Sequence, residues 1–313
     1  MSFKIIGIGE VLWDLLPSGP QLGGAPANFA YHAHALGARA EIITRVGNDA
    51  QGHEIVQRIE DMGLIASNVQ VDDVVPTGTV AVRISDKGVP DYVIREHVAW
   101  DRIAASTDAL ASVRQADAIC FGSLAQRSAV SCRSIQELVS AASLDCWRVF
   151  DINLRQSFYS REIIEQSLRL ANLLKLNDEE IPVLAKMFGL GGNPKTQVAA
   201  LAGAFELRAV VLTCGKGGSL IYQSGRWSEC AAAPVEVVDT VGAGDSFTAA
   251  LVMGLLHEQD LDVVHTFAST VAGFVCSAAG ATPSLPDNIR NYFKQLRFAI
   301  NRGSNSRTAM QAG

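Results

Sequence analysis

Residues able to do chemistry are most constrained in VVDTVGAGDSFTAALVMG, residues 237–254. Gly242, Ala243 and Gly244 precede one carboxylate, Asp245, and then Phe247, Ala250, Leu251, Gly254 and Leu255 recur every three or four residues. That period predicts a buried helix. Its first turn has backbone N–H groups with no intrahelical partner. With only small residues over them, those donors and the positive end of the helix dipole make an anion site. An ionised Asp245 there can accept a proton while an anion sits beside it. An N-terminal Asp that merely favours the helix fits the same letters.

Four further segments carry candidate groups, each with a plainer alternative. In LGGAPANFA, residues 22–30, Gly23 and Gly24 allow a ligand close to the backbone, and Asn28 offers a donor and an acceptor suited to a sugar hydroxyl. A simple helix start reads the same. Asp14 sits in the apolar run VLWDLLP, where a carboxylate is costly unless a partner or ligand satisfies it, or the residue is exposed. LKLNDEEIP places Asn177, Asp178, Glu179 and Glu180 at a strand end, as oxygen ligands for magnesium through waters or as a capped acidic helix start. In VLTCGKGGSLIY, glycines 215, 217 and 218 let the chain pass a nucleotide, or turn it into the hairpin GSLIYQSGRWSEC. It lacks the spacing of a Walker A loop, and GIGEV lacks that of a dinucleotide fingerprint. DINLR adds Arg155, for an anion or for a surface acid. The histidines show no metal spacing; His32 and His34, two apart, face different sides of a helix and receive no role.

The elements that must position these groups alternate. FKIIGI, EIITRV, ADAICFG, WRVFDINL, NLLKLN and RAVVLTCG read as strands, most followed by helical periodicity. This predicts a parallel sheet covered by helices on both faces, with ligands beyond the strands' carboxyl ends. TGTVAVRISDKGVPDYVIREHVAWD breaks the rhythm: two antiparallel strands joined at SDKG, forming with EVLWDLLP a small accessory sheet over the ligand edge. The 313 residues are 48% hydrophobic and carry a formal net charge of −6 without basic runs, which argues against a nucleic-acid surface. Six scattered cysteines suggest reduced, mostly buried thiols of a cytosolic protein. MSFKIIGIGEVLWDLL reads as a first strand rather than a signal peptide, no run is long enough for a membrane span, and NRGSNSRTAMQAG is expected to be disordered.

GGAPANFA and DTVGAGDSF resemble the N- and C-terminal signatures of the PfkB, or ribokinase-like, carbohydrate kinases, and the resemblance covers nearly the whole chain. It implies a three-layer α/β/α domain over residues 1–300 with a mostly parallel sheet, a small β-lid from about 11–22 and 77–98, and a disordered tail at 301–313. It further implies that Asp245 is the general base and that Gly242, Ala243 and Gly244 form the anion hole, with Arg155 beside them. Asp14, Gly24, Asn28 and Arg95 would hold the sugar. Asn177, Thr213, Gly215 and Gly218 would line the nucleotide site, with Glu180 on Mg²⁺ through water. SAAGATPSLP resembles the family's potassium segment, so Asp239, Val241, Val275, Ala278, Gly280 and Ser284 would surround a monovalent cation. GEVLWDLLP, GGAPANFA and DINLR look most like bacterial fructokinases. The implied reaction is phosphorylation of D-fructose by ATP, with ribose and 2-keto-3-deoxygluconate as alternative sugars and a non-catalytic sugar sensor as the alternative class. No nucleic-acid or membrane partner is expected, and two chains are expected to pair through the lid.

Overall fold

The computed structural model describes residues 2–17, 19–84 and 90–295. The SDKG turn and the tail 301–313 therefore lie outside the described residues. Strands are β1 Lys4–Ile8, β2 Leu12–Leu16, β3 Gly19–Gly23, β4 Arg39–Gly47, β5 Val69–Asp72, β6 Gly78–Ile84, β7 Pro90–Ile94, β8 Ala118–Phe121, β9 Trp147–Asp151, β10 Leu173–Asn177, β11 Ala209–Thr213, β12 Ser219–Gln223 and β13 Arg226–Cys230. Helices are α1 Ala25–Ala35, α2 Ala50–Asp61, α3 Thr107–Val113, α4 Ala129–Ser140, α5 Arg161–Leu170, α6 Glu180–Phe188, α7 Pro194–Ala204, α8 Ala243–Leu256, α9 Leu261–Cys276 and α10 Asp287–Arg290.

Nine strands form the main sheet in the order β13-β12-β11-β10-β9-β8-β1-β4-β5. Every pair from β11 to β5 is parallel, and β12 and β13 close the far edge as an antiparallel hairpin. The central strands are apolar on both faces because helices cover both. Ile6, Ile8, Phe121, Phe150 and Leu174 pack into one core with α4 and α5. Their neighbours Ile5, Cys120, Val149 and Leu173 pack into the other with α1, α8 and α9. This is the expected three-layer α/β architecture.

The second sheet has the order β3-β2-β6-β7. β6 and β7 form the expected antiparallel pair, and β2 joins β6 in parallel while β3 returns antiparallel to β2. Among the described residues, no helix is long and apolar enough to cross a membrane. All six cysteines are free, but only Cys120 and Cys146 are buried. The expectation of mostly buried thiols fails: Cys132 on α4, Cys214 after β11, Cys230 at the end of β13 and Cys276 at the end of α9 are half-buried, and Cys276 lines the cavity described below.

Candidate active site

Helix α8 begins at Ala243 behind Gly242, whose φ of +76° is left-handed and whose missing side chain leaves room for Ala281 O, 2.4 Å from where a Cβ would stand. A larger residue would suffer both strain and collision. Asp245 is therefore in the first helical turn, as the motif predicted, and only 9% exposed. Its Oδ2 accepts a hydrogen bond of 2.8 Å from Asn28 Nδ2 on α1. Gly24 precedes α1 at its N-cap, and the contact of α1 with α8 joins the two glycine-rich turns, 217 residues apart at this bond. Burial pushes the Asp245 carboxyl up to about 6, helped by Asp151 and opposed by Asn28, Lys175 and Arg155. A buried carboxyl of that kind is poised to act as a base near neutral pH.

Below the turn lies a buried ion pair. Lys175 Nζ, on β10, is 3.1 Å from Asp151 Oδ1 at the end of β9, and each residue is 3% exposed. Asp151 Oδ2 accepts from Thr248 Oγ1 of α8 at 3.1 Å. The ammonium occupies the place of a Gly244 side chain, 2.8 Å from where its Cβ would be. Gly244 is thus small because a cation sits against it. Burial works to lower the Lys175 pKa, but Asp151, Glu180 and Asp245 carry it above the usual value, so the group stays charged.

On the side of the smaller sheet, Asp14 is half-buried on β2, and burial raises its carboxyl to about 6 against the pull of Arg155. Glu10, just past β1, is buried, and its Oε2 has no hydrogen-bond partner among the described residues. Burial lifts it to about 7, with Asp245 adding to the rise and Arg155 and Arg127 opposing it. Arg155 follows β9, exposed, with Nη1 donating to Leu154 O. Arg155 thus lies within electrostatic reach of all three carboxyls, Asp14, Glu10 and Asp245. Arg95 is exposed beyond β7 and is tied to the body through its carbonyl, which accepts from Arg127 Nη2 at 2.6 Å.

A cavity of about 530 Å³ opens on the other side of the turn, lined by Thr213, Gly215, Gly218, Ala243 and Gly244 together with Lys216. Its far wall is apolar: Ala232, Pro234 and Val235 face Ala272, Gly273 and Cys276 of α9. Such a slot suits a flat base, with a tail reaching the N–H groups of the turn. Asn177 does not line it. Its Oδ1 accepts from Glu179 N and Glu180 N at 2.9 Å, capping α6. Glu180 holds the neighbouring loop, with Oε1 accepting from Leu154 N at 2.8 Å and Oε2 from Asn177 N at 2.9 Å.

Of the third predicted cluster, Asp239 meets Val241 and Gly280. Asp239 Oδ1 accepts from Val241 N at 3.0 Å and Oδ2 from Gly280 N at 3.1 Å, so the two distant loops are hydrogen-bonded together. The Val275 carbonyl is taken up in capping α9, whereas Ala278 and Ser284 flank Gly280 on the same loop. His32, given no role from sequence, is fully buried on α1, and its Nε2 lies 2.9 Å from Ala281 O. Burial lowers its pKa to about 4, so the neutral ring donates to that carbonyl. Sequence reasoning passed over Glu10, Lys175 and Lys216. A charged residue inside the apolar run LLKL was the one available signal for Lys175.

A family model described as pfkB family carbohydrate kinase matches residues 20–288, a span that takes in both glycine-rich turns, most of the smaller sheet and the Asp239–Gly280 loops. The chain belongs to that family and is a carbohydrate kinase. It is 28% identical over 303 residues to a fructokinase of Escherichia coli, covering 91% of this chain and 97% of that one. It is 30% identical over 271 residues to a nucleoside kinase of Methanothermobacter thermautotrophicus, covering 85% and 81%. A sugar kinase of Pyrococcus horikoshii solved in complex with ATP superposes with a TM-score of 0.77 at 26% identity, covering 90% and 95%.

Proposed function

We propose that this carbohydrate kinase transfers the γ-phosphoryl group of Mg–ATP to a hydroxyl of D-fructose, giving fructose 6-phosphate, in the cytoplasm. The observation that carries the reading is Asn28 bound to Asp245 at the head of α8, between the carboxyl-lined side and the cavity. The fructokinase among the relatives supports the choice of acceptor.

In this reading Asp14, Gly24, Asn28 and Arg95 hold the sugar, with its attacking hydroxyl on Asp245. Asp245 takes the proton as the oxygen attacks. The backbone N–H groups of Gly242, Ala243 and Gly244 then hold the charge on the equatorial phosphoryl oxygens, with Lys175 beneath and Arg155 across from them. The nucleotide lies along Thr213, Gly215 and Gly218, and Asn177 fixes the end of β10 beside it. Among the described residues no three His, Cys, Asp or Glu side chains form a metal cluster. Magnesium bound by phosphates and waters, with Glu180 as an outer contact, suits that donor set. Asp239 has lone pairs left after its two backbone bonds, and with carbonyls of Val241, Val275, Ala278, Gly280 and Ser284 it would hold a monovalent cation that adds positive potential beside the turn. The smaller sheet would close as a lid, and its outer strands would pair two chains.

The test is ADP release with Mg–ATP and a panel of fructose, ribose, 2-keto-3-deoxygluconate and nucleosides. Fructose should give the highest kcat/KM. Faster turnover of another acceptor would reassign the substrate. Sugar binding without ADP release from any acceptor would favour a sensor.

A further inference from the structure

Ser219 opens β12 and lines the cavity beside Gly218. Its hydroxyl ends a hydrogen-bonded chain that none of the chemistry above uses. Ser219 Oγ lies 2.7 Å from His265 Nε2 on α9, and His265 Nδ1 lies 2.9 Å from Ser228 Oγ on β13. Ser228 Oγ in turn donates to Asp262 Oδ1 at the start of α9. Ser219, His265 and Ser228 are buried, while Asp262 reaches the surface and pairs with Arg226 at 2.6 Å.

Counting donors places every hydrogen in this chain. The bond from Ser228, with Arg226 beside it, holds the Asp262 carboxyl below its usual range, so it is ionised at neutral pH and can only accept. The single hydroxyl hydrogen of Ser228 goes to it. Ser228 oxygen must then accept from His265 Nδ1. Burial pushes the imidazole down to about 4 despite the pull of Asp262, so the ring carries one hydrogen, on Nδ1. Nε2 is bare and takes the hydroxyl hydrogen of Ser219. An edge-on contact with Phe247, with ring centroids 6.0 Å apart and 84° between planes, packs against the ring. What remains on Ser219 Oγ is lone pairs alone.

We propose that Ser219 is a nucleobase-specificity residue: its oxygen, fixed as an acceptor by the His265–Ser228–Asp262 chain, binds the exocyclic amino group of adenine and rejects a base with a carbonyl at that place. The inference rests on the reading of the cavity as the nucleotide site. Ser219 is the base contact, and His265 and Ser228 are positioning residues. A carbonyl there would set two lone pairs against each other in a desolvated place. Leaving a buried acceptor unpaired lowers kcat/KM on the order of 10-fold or more.

The experiment compares kcat/KM for ATP and ITP, whose bases differ by amino against carbonyl at one ring carbon, with the best sugar of the panel at saturation. Wild-type protein should favour ATP by on the order of 10-fold, and Ser219→Ala should narrow the ratio to about 2-fold. Ser228→Ala, outside the cavity, removes the acceptor on Nδ1 and lets the ring hydrogen move to Nε2. The Ser219 hydroxyl then turns to donate, and the ratio should shift toward ITP with the sugar KM unchanged. A merely structural role would leave that ratio fixed. Wild-type protein using both nucleotides equally, or Ser219→Ala keeping the wild-type ratio, would overturn the inference and leave the kinase reading intact. Turnover with no nucleoside triphosphate at all would remove both. The wild-type ratio needs no variant to fold.

Discussion

Asp245→Asn keeps the shape of the carboxyl and its neighbours but cannot take a proton. It is expected to retain both ligands while lowering kcat about 10²–10⁴-fold. Because burial holds Asp245 at about 6, kcat/KM of the wild type should rise with pH through about 6, and the variant should lose that limb. Near-normal turnover in the variant would remove Asp245 as base. Glu10 gives the opposite sign for stability. Its carboxyl moves from 4.5 to about 7 on burial, so the unfolded chain ionises first and this group's stabilisation is lost as pH rises through about 7. Glu10→Gln should therefore melt higher than wild type at pH 8, with the gap narrowing at pH 5; a gap independent of pH would mean that Glu10 is not held protonated. The place of Asp245 in a helix's first turn was legible in the sequence, because small residues followed by an apolar period from Phe247 mark a helix start. Glu10 was not, since nothing in GIGEV tells that its side chain turns inward toward Arg127 and Arg155. The partner of Asn28 was equally hidden: a sugar hydroxyl and the Asp245 carboxylate ask the same of its amide.

Strands β9 and β10 meet helix α8 through Lys175, Asp151 and Thr248, beneath the turn proposed to bind the phosphoryl group. Lys175→Met leaves Asp151 buried without its cation, which costs about 3–5 kcal/mol. Adding Asp151→Asn should restore much of that loss in a denaturant melt, while kcat stays low because the charge beneath Gly244 is still missing. Full activity in the double variant would make the pair purely structural. The alternation of strands and helices could be read from periodicity, and so could the β6–β7 pairing. The separate strand β3 could not, because GPQLG carries two glycines and a proline and lacks a strand pattern. Lys175 and Asp151 lie 24 residues apart and become partners only through the parallel register of β9 and β10, which no local pattern encodes.

Across the whole molecule, the smaller sheet carries Asp14 and leads to Arg95, while α1, α8 and the main sheet's strand ends and the loops after them carry most of the other candidate residues. Sugar binding is expected to slow hydrogen exchange in β6 and β7, as closure excludes water from the reacting phosphate. Unchanged exchange with saturating fructose would argue against a lid. A different kind of coupling follows from His32. One helix, α1, presents Asn28 to Asp245 and, one turn on, His32 to Ala281 O, in the loop proposed to hold the cation. The proposed sugar site and the proposed cation site, which do not touch, are thus joined by one helix. Heterotropic linkage makes the effect reciprocal: whatever factor potassium contributes to sugar affinity, the sugar must return to potassium affinity. Titration of fructose in potassium and in tetramethylammonium, and of potassium with and without fructose, should give one and the same factor above unity. In His32→Phe, with the tether cut, both titrations should fall together toward no coupling.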